Sequence, residues 1–444
     1  MLDTLRRVLD RAVADSAFPG AFVVVGRRSG IIAQLGAGHL DLAPSPVPDE
    51  HTLWDMASLT KVLALTSAMM QLVEQGKVEL DAPVQRYLPQ WTGPNKARVT
   101  VRDLLTHRSG LPAWRPIYKE ATTPTEALAL VVATPLDTLP GVRMVYSDLG
   151  AILMGEIVRA VSGQRIDAYT RDHVFAPLGM KETGYLPDPS LLSRIAPTEV
   201  DPWRQRHLRG EVHDENAFAL GGVAGHAGLF GTASDLAVFA QMLLDGGTYN
   251  GVHIVADSTI KQFTARAAGS RALGWEVGEG QHGSGNFLRD GAFGHTGFTG
   301  TSLWIDPDRE MFVILLTNRV HAAKAKRPAK VIADVRQDLS DAAALAVTDE
   351  NLAVAAMPAS FRADRAVDWN KPTRKARKPK KPSSSKTKGS SANKSPAKSS
   401  SSAKKPAAKK SSSSKSSSKS PSKSSSKSSS KSPAKKPASK KTPN

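Results

Sequence analysis

Residues 54–75 read WDMASLTKVLALTSAMMQLVEQ. The quartet Ser58-Leu59-Thr60-Lys61 opens a run of Val, Leu, Ala and Met that Gly76 ends, so the spacing predicts a helix beginning near Ser58 and buried on most sides. Positions i and i+3 of a helix share a face, which brings the Ser58 hydroxyl to the Lys61 ammonium. A serine hydroxyl is a poor nucleophile until a neighbour accepts its proton. Lysine can do so only if burial or nearby charge lowers its pKa from about 10.4 toward neutrality. The helix start adds a backbone N–H able to stabilise an oxyanion. Ser-x-x-Lys is weak by itself, because Ser258-Thr259-Ile260-Lys261 repeats it and the C-terminal stretch holds further copies. Context separates them. Ser258 lies in the short polar helix DSTIKQFTAR, whereas Ser58 precedes an apolar helix about to be buried.

Outward from this segment, the chain reads as α/β (α+β). Leu2, Leu5, Val8, Leu9, Ala12 and Val13 make one face of a first helix. AFVVVG at 21–26 and IIAQLG at 31–36, joined by RRSG, predict a hairpin. GTSLWIDPDREMFVILLTN at 300–318 predicts a second strand pair around the turn residues DPDRE, followed by a helix carrying Val331, Ile332, Val335 and Leu339. Helix-strand-strand at one end and strand-strand-helix at the other place both ends in one antiparallel sheet flanked by terminal helices. The stretches VRDLLTH at 101–107 and LGAILMGEIVRAVSG at 149–163 fall between them, and residues 76–265 are expected to form an inserted, mainly helical lobe. Thr100 and Asp103 suit a helix cap.

Two more polar motifs follow Ser58. Tyr146-Ser147-Asp148 lies 88 residues on, and His295-Thr296-Gly297 another 149 residues on, just before a strand. VHDENAFALGGVAGHAG at 212–228 concentrates His213, Asp214, Asn216 and His226 in a Gly-rich loop that could line a cleft. Its spacing matches no zinc pattern, so no metal site is expected. GHTGFTG meets neither phosphate-loop nor dinucleotide spacing, and no cofactor is implied.

Composition bounds the rest. The chain has 444 residues and no cysteine, which excludes disulfides, thiol nucleophiles and Cys-ligated metals. Of 60 Lys and Arg residues, 24 lie in 370–444, which contains no Asp or Glu; residues 1–369 keep 36 basic against 41 acidic residues. The basic pI therefore belongs to the tail alone. That Lys/Ser/Pro/Ala stretch has no large apolar side chain to offset the entropy of ordering, so it is expected to be disordered. The expected divisions are a catalytic domain at 1–346, a linker at 347–369 and the basic tail at 370–444. No apolar run approaches the roughly 18 residues of a membrane span. The start, MLDTLRRVLDRAVADSAF, lacks a signal-peptide core. A cytoplasmic protein is expected, or a periplasmic or extracellular one if the start site is misassigned.

With Ser-x-x-Lys, Tyr-x-Asp and His-Thr-Gly in this order, the sequence resembles the serine β-lactamase and penicillin-binding-protein superfamily, and within it the class C β-lactamase-related branch. LLTHRSGLP at 104–112, VHDENAFALGGVAGHAGLFGTASDL at 212–236 and GHTGFTGTSLWIDP at 294–307 are similar to the same branch. The likeness spans roughly residues 5–345. It implies a β-lactamase/transpeptidase-like fold and a serine hydrolase working through a Ser58 acyl-enzyme on a D-alanyl peptide, ester or β-lactam-like amide, as a carboxypeptidase or esterase. In that resemblance Lys61 is base or electrostatic activator, Tyr146 the proton shuttle, and the backbone N–H groups of Ser58 and Phe298 the oxyanion hole. Asp148, His295, Thr296 and Gly297 receive the substrate. Two departures favour an esterase or peptidase over an efficient β-lactamase. Asp148 stands where the family usually carries Asn, and His295 where Lys is commoner, leaving a weak cation near neutral pH. The tail resembles those of linker histones. It gives the competing reading, a weak or inactive hydrolase-fold module held on DNA or another polyanion.

Overall fold

A computed structural model of the chain describes residues 1–42, 44–278, 283–321 and 329–347. In chain order its main elements are helix α1 (Leu2–Ala14), strands β1 (Gly20–Arg27) and β2 (Gly30–Gly38), and helices α2 (Ser67–Glu74), α3 (Val101–Leu105), α4 (Asp148–Ser162) and α5 (Ala233–Leu244). Strands β3 (Glu276–Val277), β4 (Phe293–Thr296), β5 (Ser302–Asp306) and β6 (Met311–Thr317) and helix α6 (Ala329–Ala346) follow. The six strands form one sheet in the order β3-β4-β5-β6-β1-β2, each neighbour antiparallel. The first and last strands of the described residues thus meet in this sheet, with β1 paired to β6 through Val24 opposite Ile314.

Strand alternation sorts the side chains into two layers. Ala21, Val23, Val25, Val313 and Leu315 face one side, where Leu5, Leu9, Ile332 and Leu339 of α1 and α6 cover them. Phe22, Val24, Ile305, Phe312 and Ile314 face the other side and join Leu63, Met69, Phe239 and Ala240. Burial on both faces explains why β1 reads as a continuous apolar run rather than an alternating one. A charge at Val24 would sit between two fully covered layers, with no partner to offset its desolvation.

The regular structure in segment 76–265 is mostly helix, set among long loops, with short two- and three-residue strands. Its helix α5 lies against the sheet through Phe239 and Ala240, so its core is continuous with the one beneath β1 and β6. Thr100 and Asp103 form a reciprocal capping box on α3. The long helix expected from Ser58 is built in three pieces: a 3₁₀ turn at Ala57–Leu59, a wide π turn at Lys61–Thr66, and α2. The Ser67 hydroxyl donates to the Val62 carbonyl five residues back at 3.3 Å, a bond suited to the widened turn. Gly76, at φ +67°, ends it. Residues 348–369 of the expected linker and the whole tail, 370–444, lie outside the described residues. Among the described residues no helix is long and apolar enough to cross a membrane.

Candidate active site

The sequence before Ser58 is pinned from two sides. Trp54 and Asp55 pair antiparallel with Gly231 and Phe230, and the Met56 N–H donates to the Leu229 carbonyl at 2.9 Å. From the sheet, the Thr299 hydroxyl donates to the Asp55 carbonyl at 2.8 Å and the Thr301 hydroxyl to the Met56 carbonyl at 3.1 Å. Gly297 permits this approach, because a Cβ there would stand 2.7 Å from the Met56 carbonyl oxygen and 2.1 Å from the Thr301 hydroxyl. The buried Asp55 carboxylate accepts the N–H of Ala57 at 2.8 Å and that of His213 at 2.6 Å. Burial raises its pKa despite those bonds. Ala57 is held at φ +45°, a strained conformation for a residue with a Cβ, directly before Ser58. Ser58 is half-buried and opens onto a cleft of about 720 Å³.

Lys61, one helical turn on, is buried and donates from Nζ to Ser58 Oγ at 3.0 Å and to the His226 carbonyl at 3.1 Å. The same nitrogen lies 2.7 Å from Asp148 Oδ1. Two of its N–H bonds are thus used by Ser58 and the His226 carbonyl, and Asp148 approaches as a counter-charge rather than with hydrogen-bond geometry. Burial pulls the Lys61 pKa down, but Asp148 and Tyr146 outweigh it and hold the group above the ordinary lysine range. Lys61 therefore rests as a cation. The lowering that a lysine base needs is absent from this resting arrangement, and the physical reason is the carboxylate of Asp148.

Tyr146 and Asp148 reach the site from the start of α4. Ser147 caps that helix, accepting the Gly150 N–H at 3.3 Å and donating its hydroxyl to the Pro112 carbonyl at 2.7 Å. The Ser147 N–H donates to His107 Nδ1 at 3.1 Å, and the Asp148 N–H to the Ala113 carbonyl at 3.0 Å. The stretch LLTHRSGLP is thus the bracket that fixes the tyrosine. The Tyr146 ring lies tilted against His107, with ring centres 4.6 Å apart, and 4.9 Å beneath the Lys61 ammonium. Burial raises the Tyr146 pKa, with Lys61 and Ser58 opposing and Asp148 adding to it, so the group rests as a phenol.

On the opposite wall, β4 ends in His295 and Thr296, followed by Gly297 and by Phe298, whose ring is exposed. The expectation of a weak cation at His295 gives way here. The ring is 2% exposed. Burial, then Arg271 and Lys61, push its pKa well below the usual histidine value. Nδ1 faces the Thr296 carbonyl at 2.9 Å and so carries the proton, leaving Nε2 as an acceptor.

The loop at 212–228 divides. His213, Asp214 and His226 line the cleft, whereas Asn216 does not. Asn216 is fully buried, accepts the Tyr118 N–H at 3.1 Å and donates to the Arg115 carbonyl at 2.8 Å, so it ties one loop to another. His226 Nε2 lies 2.8 Å from Asp214 Oδ1. Burial raises the Asp214 pKa, but His226 outweighs it and the carboxyl titrates below its ordinary range. His213 pairs instead with buried Glu199 at 2.7 Å. Among the described residues no group of three or more His, Asp or Glu is arranged to hold a metal ion.

Sequence reasoning missed Arg271 and Arg336, both nearly buried and both lining the cleft. Nothing local marks them: Arg271 precedes the short strand β3, and Arg336 lies inside the amphipathic pattern of α6. Arg336 donates to the Gly297 and Thr301 carbonyls at 2.7 and 2.8 Å, buttressing β4, and burial pulls its pKa down to about 9.

The Beta-lactamase family model matches residues 5–337, nearly all of the described chain. The chain belongs to the Beta-lactamase family. Two curated family relatives illustrate its breadth. The N-acetylmuramyl-L-alanine amidase of Bacillus subtilis (strain 168) is 33% identical over 71% of this chain and 80% of its own. A protein of Escherichia coli (strain K12) named "Putative D-alanyl-D-alanine carboxypeptidase" is 35% identical over 62% of this chain and 70% of its own. The family fold is also that of EstCE1, a hydrolase with promiscuous acyltransferase activity, at TM-score 0.63 and 21% identity over 76% of this chain and 98% of that one. The chain is thus a serine-hydrolase-superfamily member whose curated relatives are named as an amidase and a putative D-alanyl-D-alanine carboxypeptidase.

Proposed function

We propose that this protein hydrolyses D-alanyl peptides or related small esters through an acyl-enzyme on Ser58. The observation that carries the reading is the Lys61 ammonium bonded to Ser58 Oγ over the Tyr146 ring, at the floor of an open cleft. Once the Lys61–Tyr146 pair has given up one proton to solvent, Ser58 Oγ forms a bond to the carbonyl carbon as its own proton passes into that pair and the carbonyl π electrons move onto oxygen. The backbone N–H groups of Ser58 and Phe298 hold the oxyanion. Tyr146 then protonates the departing amine or alkoxide as the carbon–leaving-group bond breaks, and water cleaves the ester in the reverse order. Thr296 and Gly297 align the substrate backbone along the edge of β4. A carboxylate at Asp148 and a neutral His295 both withdraw positive potential beside Ser58, which supports ester or peptide turnover over β-lactam hydrolysis.

The test is a matched panel of p-nitrophenyl esters, a chromogenic cephalosporin and D-alanyl-D-alanine peptides, with mass spectrometry of the trapped protein. Acylation mapped to the peptide carrying Ser58, with ester or peptide turnover exceeding cephalosporin turnover, is the expected result. Residues 370–444 are proposed as an electrostatic anchor for DNA or another polyanion, separate from catalysis, on the strength of their 24 basic and no acidic residues.

A further inference from the structure

Helix α6 sends a buried cation to the turn that follows β4. Arg336 is 6% exposed and donates from Nη2 to the Gly297 carbonyl at 2.7 Å and to the Thr301 carbonyl at 2.8 Å. The Gly297 N–H closes the same turn onto the Thr301 carbonyl at 2.7 Å, and the Gly300 N–H reaches the Gly297 carbonyl at 3.0 Å. The arginine therefore clamps the neck of the turn 297–301. Stability does not call for a charge there, since an apolar side chain of similar volume usually serves a buried position as well as an ion does. The Gly297 carbonyl belongs to the peptide unit that carries the Phe298 N–H. A trans peptide is planar and points its C=O and N–H in opposite directions, so fixing the oxygen on Arg336 fixes the line of that N–H. Among the described residues the Phe298 and Ser58 N–H groups donate to no protein group, and both residues line the cleft. The Thr299 and Thr301 hydroxyls bind the Asp55 and Met56 carbonyls, which fastens the clamped turn to the segment that delivers Ser58. Arg319 also grips the turn, but through the Phe298 carbonyl, whose peptide unit carries the Thr299 N–H instead.

We infer that Arg336 is a positioning residue for the oxyanion hole, aiming the Phe298 N–H into the cleft and strengthening it as a donor through the Gly297–Phe298 peptide. The inference rests on the proposed acyl-enzyme reading, in which that N–H holds the oxyanion. A cation on the carbonyl oxygen draws electron density from the amide nitrogen, and hydrogen bonds in series polarise one another by about 10–30% each. The donor is thereby set before the substrate arrives, which is the condition for stabilising charge that develops only in the transition state. Arg336 acts through the peptide and not by contact with the reacting atoms.

The test reads the Phe298 amide itself. Gly297–Phe298 is the only Gly-Phe step in the chain, so the full-length protein labelled with carbon-13 at glycine carbonyls and nitrogen-15 in phenylalanine gives one cross-peak in an HNCO spectrum. A fluorophosphonate supplies the oxyanion mimic. Ser58 Oγ bonds to phosphorus as the P–F bond breaks, fluoride leaves, the serine proton passes to solvent, and a phosphoryl oxygen stands where the oxyanion would. In the unsubstituted protein the Phe298 amide proton should move downfield when this adduct forms. Arg336→Met should diminish that shift and slow phosphonylation at least about tenfold, a part of the 10²–10³ that a whole oxyanion donor is worth. Arg336→Lys should fall between the two, with one point charge in place of a fork. An undiminished shift in Arg336→Met overturns the inference whatever the rate does. Equal shifts in the Met and Lys variants also overturn it, because packing alone would then explain the loss. Unfolding of both variants by circular dichroism overturns it as well, making Arg336 a structural strut. Failure of the acyl-enzyme reading appears separately in the unsubstituted protein, as no adduct on Ser58 or an adduct that leaves the Phe298 proton in place.

Discussion

Replacing Asp148 with Asn tests the electrostatics of the nucleophile most directly. In the resting site Lys61 is a cation and Tyr146 a phenol, so neither can take the Ser58 proton until the pair loses one of its own. The carboxylate at 2.7 Å from Lys61 Nζ opposes that loss. A unit-charge pair near 4 Å is worth about 4 kcal/mol at an effective dielectric of about 20. Asp148 keeps 19% of its side chain in solvent, and an Asn oxygen would still face the ammonium. Halving the figure leaves about 2 kcal/mol, or about 1.5 pH units at 1.36 kcal/mol per unit. For a lysine whose folded pKa is raised, the charged form persists to higher pH, so kcat/KM should climb with pH through the neutral range. Asp148→Asn should displace that rising limb down by about 1.5 pH units and so raise kcat/KM on a neutral ester at pH 7 by about ten- to thirtyfold. The assay is p-nitrophenyl acetate hydrolysis from pH 5 to 10, with circular dichroism to confirm folding. A limb that stays in place, or moves upward, refutes the claim that Lys61 deprotonation gates attack.

Further outcomes can be checked alongside it. Ser58→Ala should abolish fluorophosphonate labelling and lower ester hydrolysis at least about a thousandfold. Ser258→Ala should change neither, because that serine is exposed and its Lys261 is paired with Asp257 on the surface. His107 and His295 are both buried with pKa values well below the usual histidine value, so each folded imidazole stays neutral where the unfolded one takes a proton. Their contribution is complete above about pH 6.5 and is lost as pH falls below it, at about 1.4 kcal/mol per pH unit for each ring. Urea melts between pH 7 and 5 should show that slope, and His295→Gln should flatten it. A protein ending at Trp369 should lose salt-sensitive DNA binding while keeping turnover of a small ester within about twofold. If six to ten phosphates are engaged, the full chain should weaken about 10³–10⁵-fold between 50 and 200 mM salt, and equal binding by both proteins removes the anchor.

Much of the fold was legible because it is written in periodicity. The run AFVVVG and the pair around DPDRE announced strands β1, β5 and β6, and the turn residues fixed where each pair reverses. Thr100 with Asp103 announced its helix by local chemistry alone. Ser58 and Lys61 were legible for the same reason, since a three-residue spacing is a statement about one turn of helix. What periodicity could not show is how that turn is built. The helix begins as a 3₁₀ turn and widens, a choice made by Asp55, Thr299 and Thr301 gripping the chain ahead of it.

The charge states of the site were decided by tertiary structure alone. Sequence supplied an aspartate at 148 and a histidine at 295, and reasoning from residue type made one a lost donor and the other a weak cation. Burial changed both. Asp148 became the counter-ion that keeps Lys61 protonated, and His295 became a neutral acceptor. Arg271 and Arg336 enter the cleft from segments with no motif, brought there by an edge strand and the last helix. A residue's identity and spacing are local properties and can be read along the chain. Its pKa and its partners depend on which distant groups share its low-dielectric surroundings, and only the folded chain determines that.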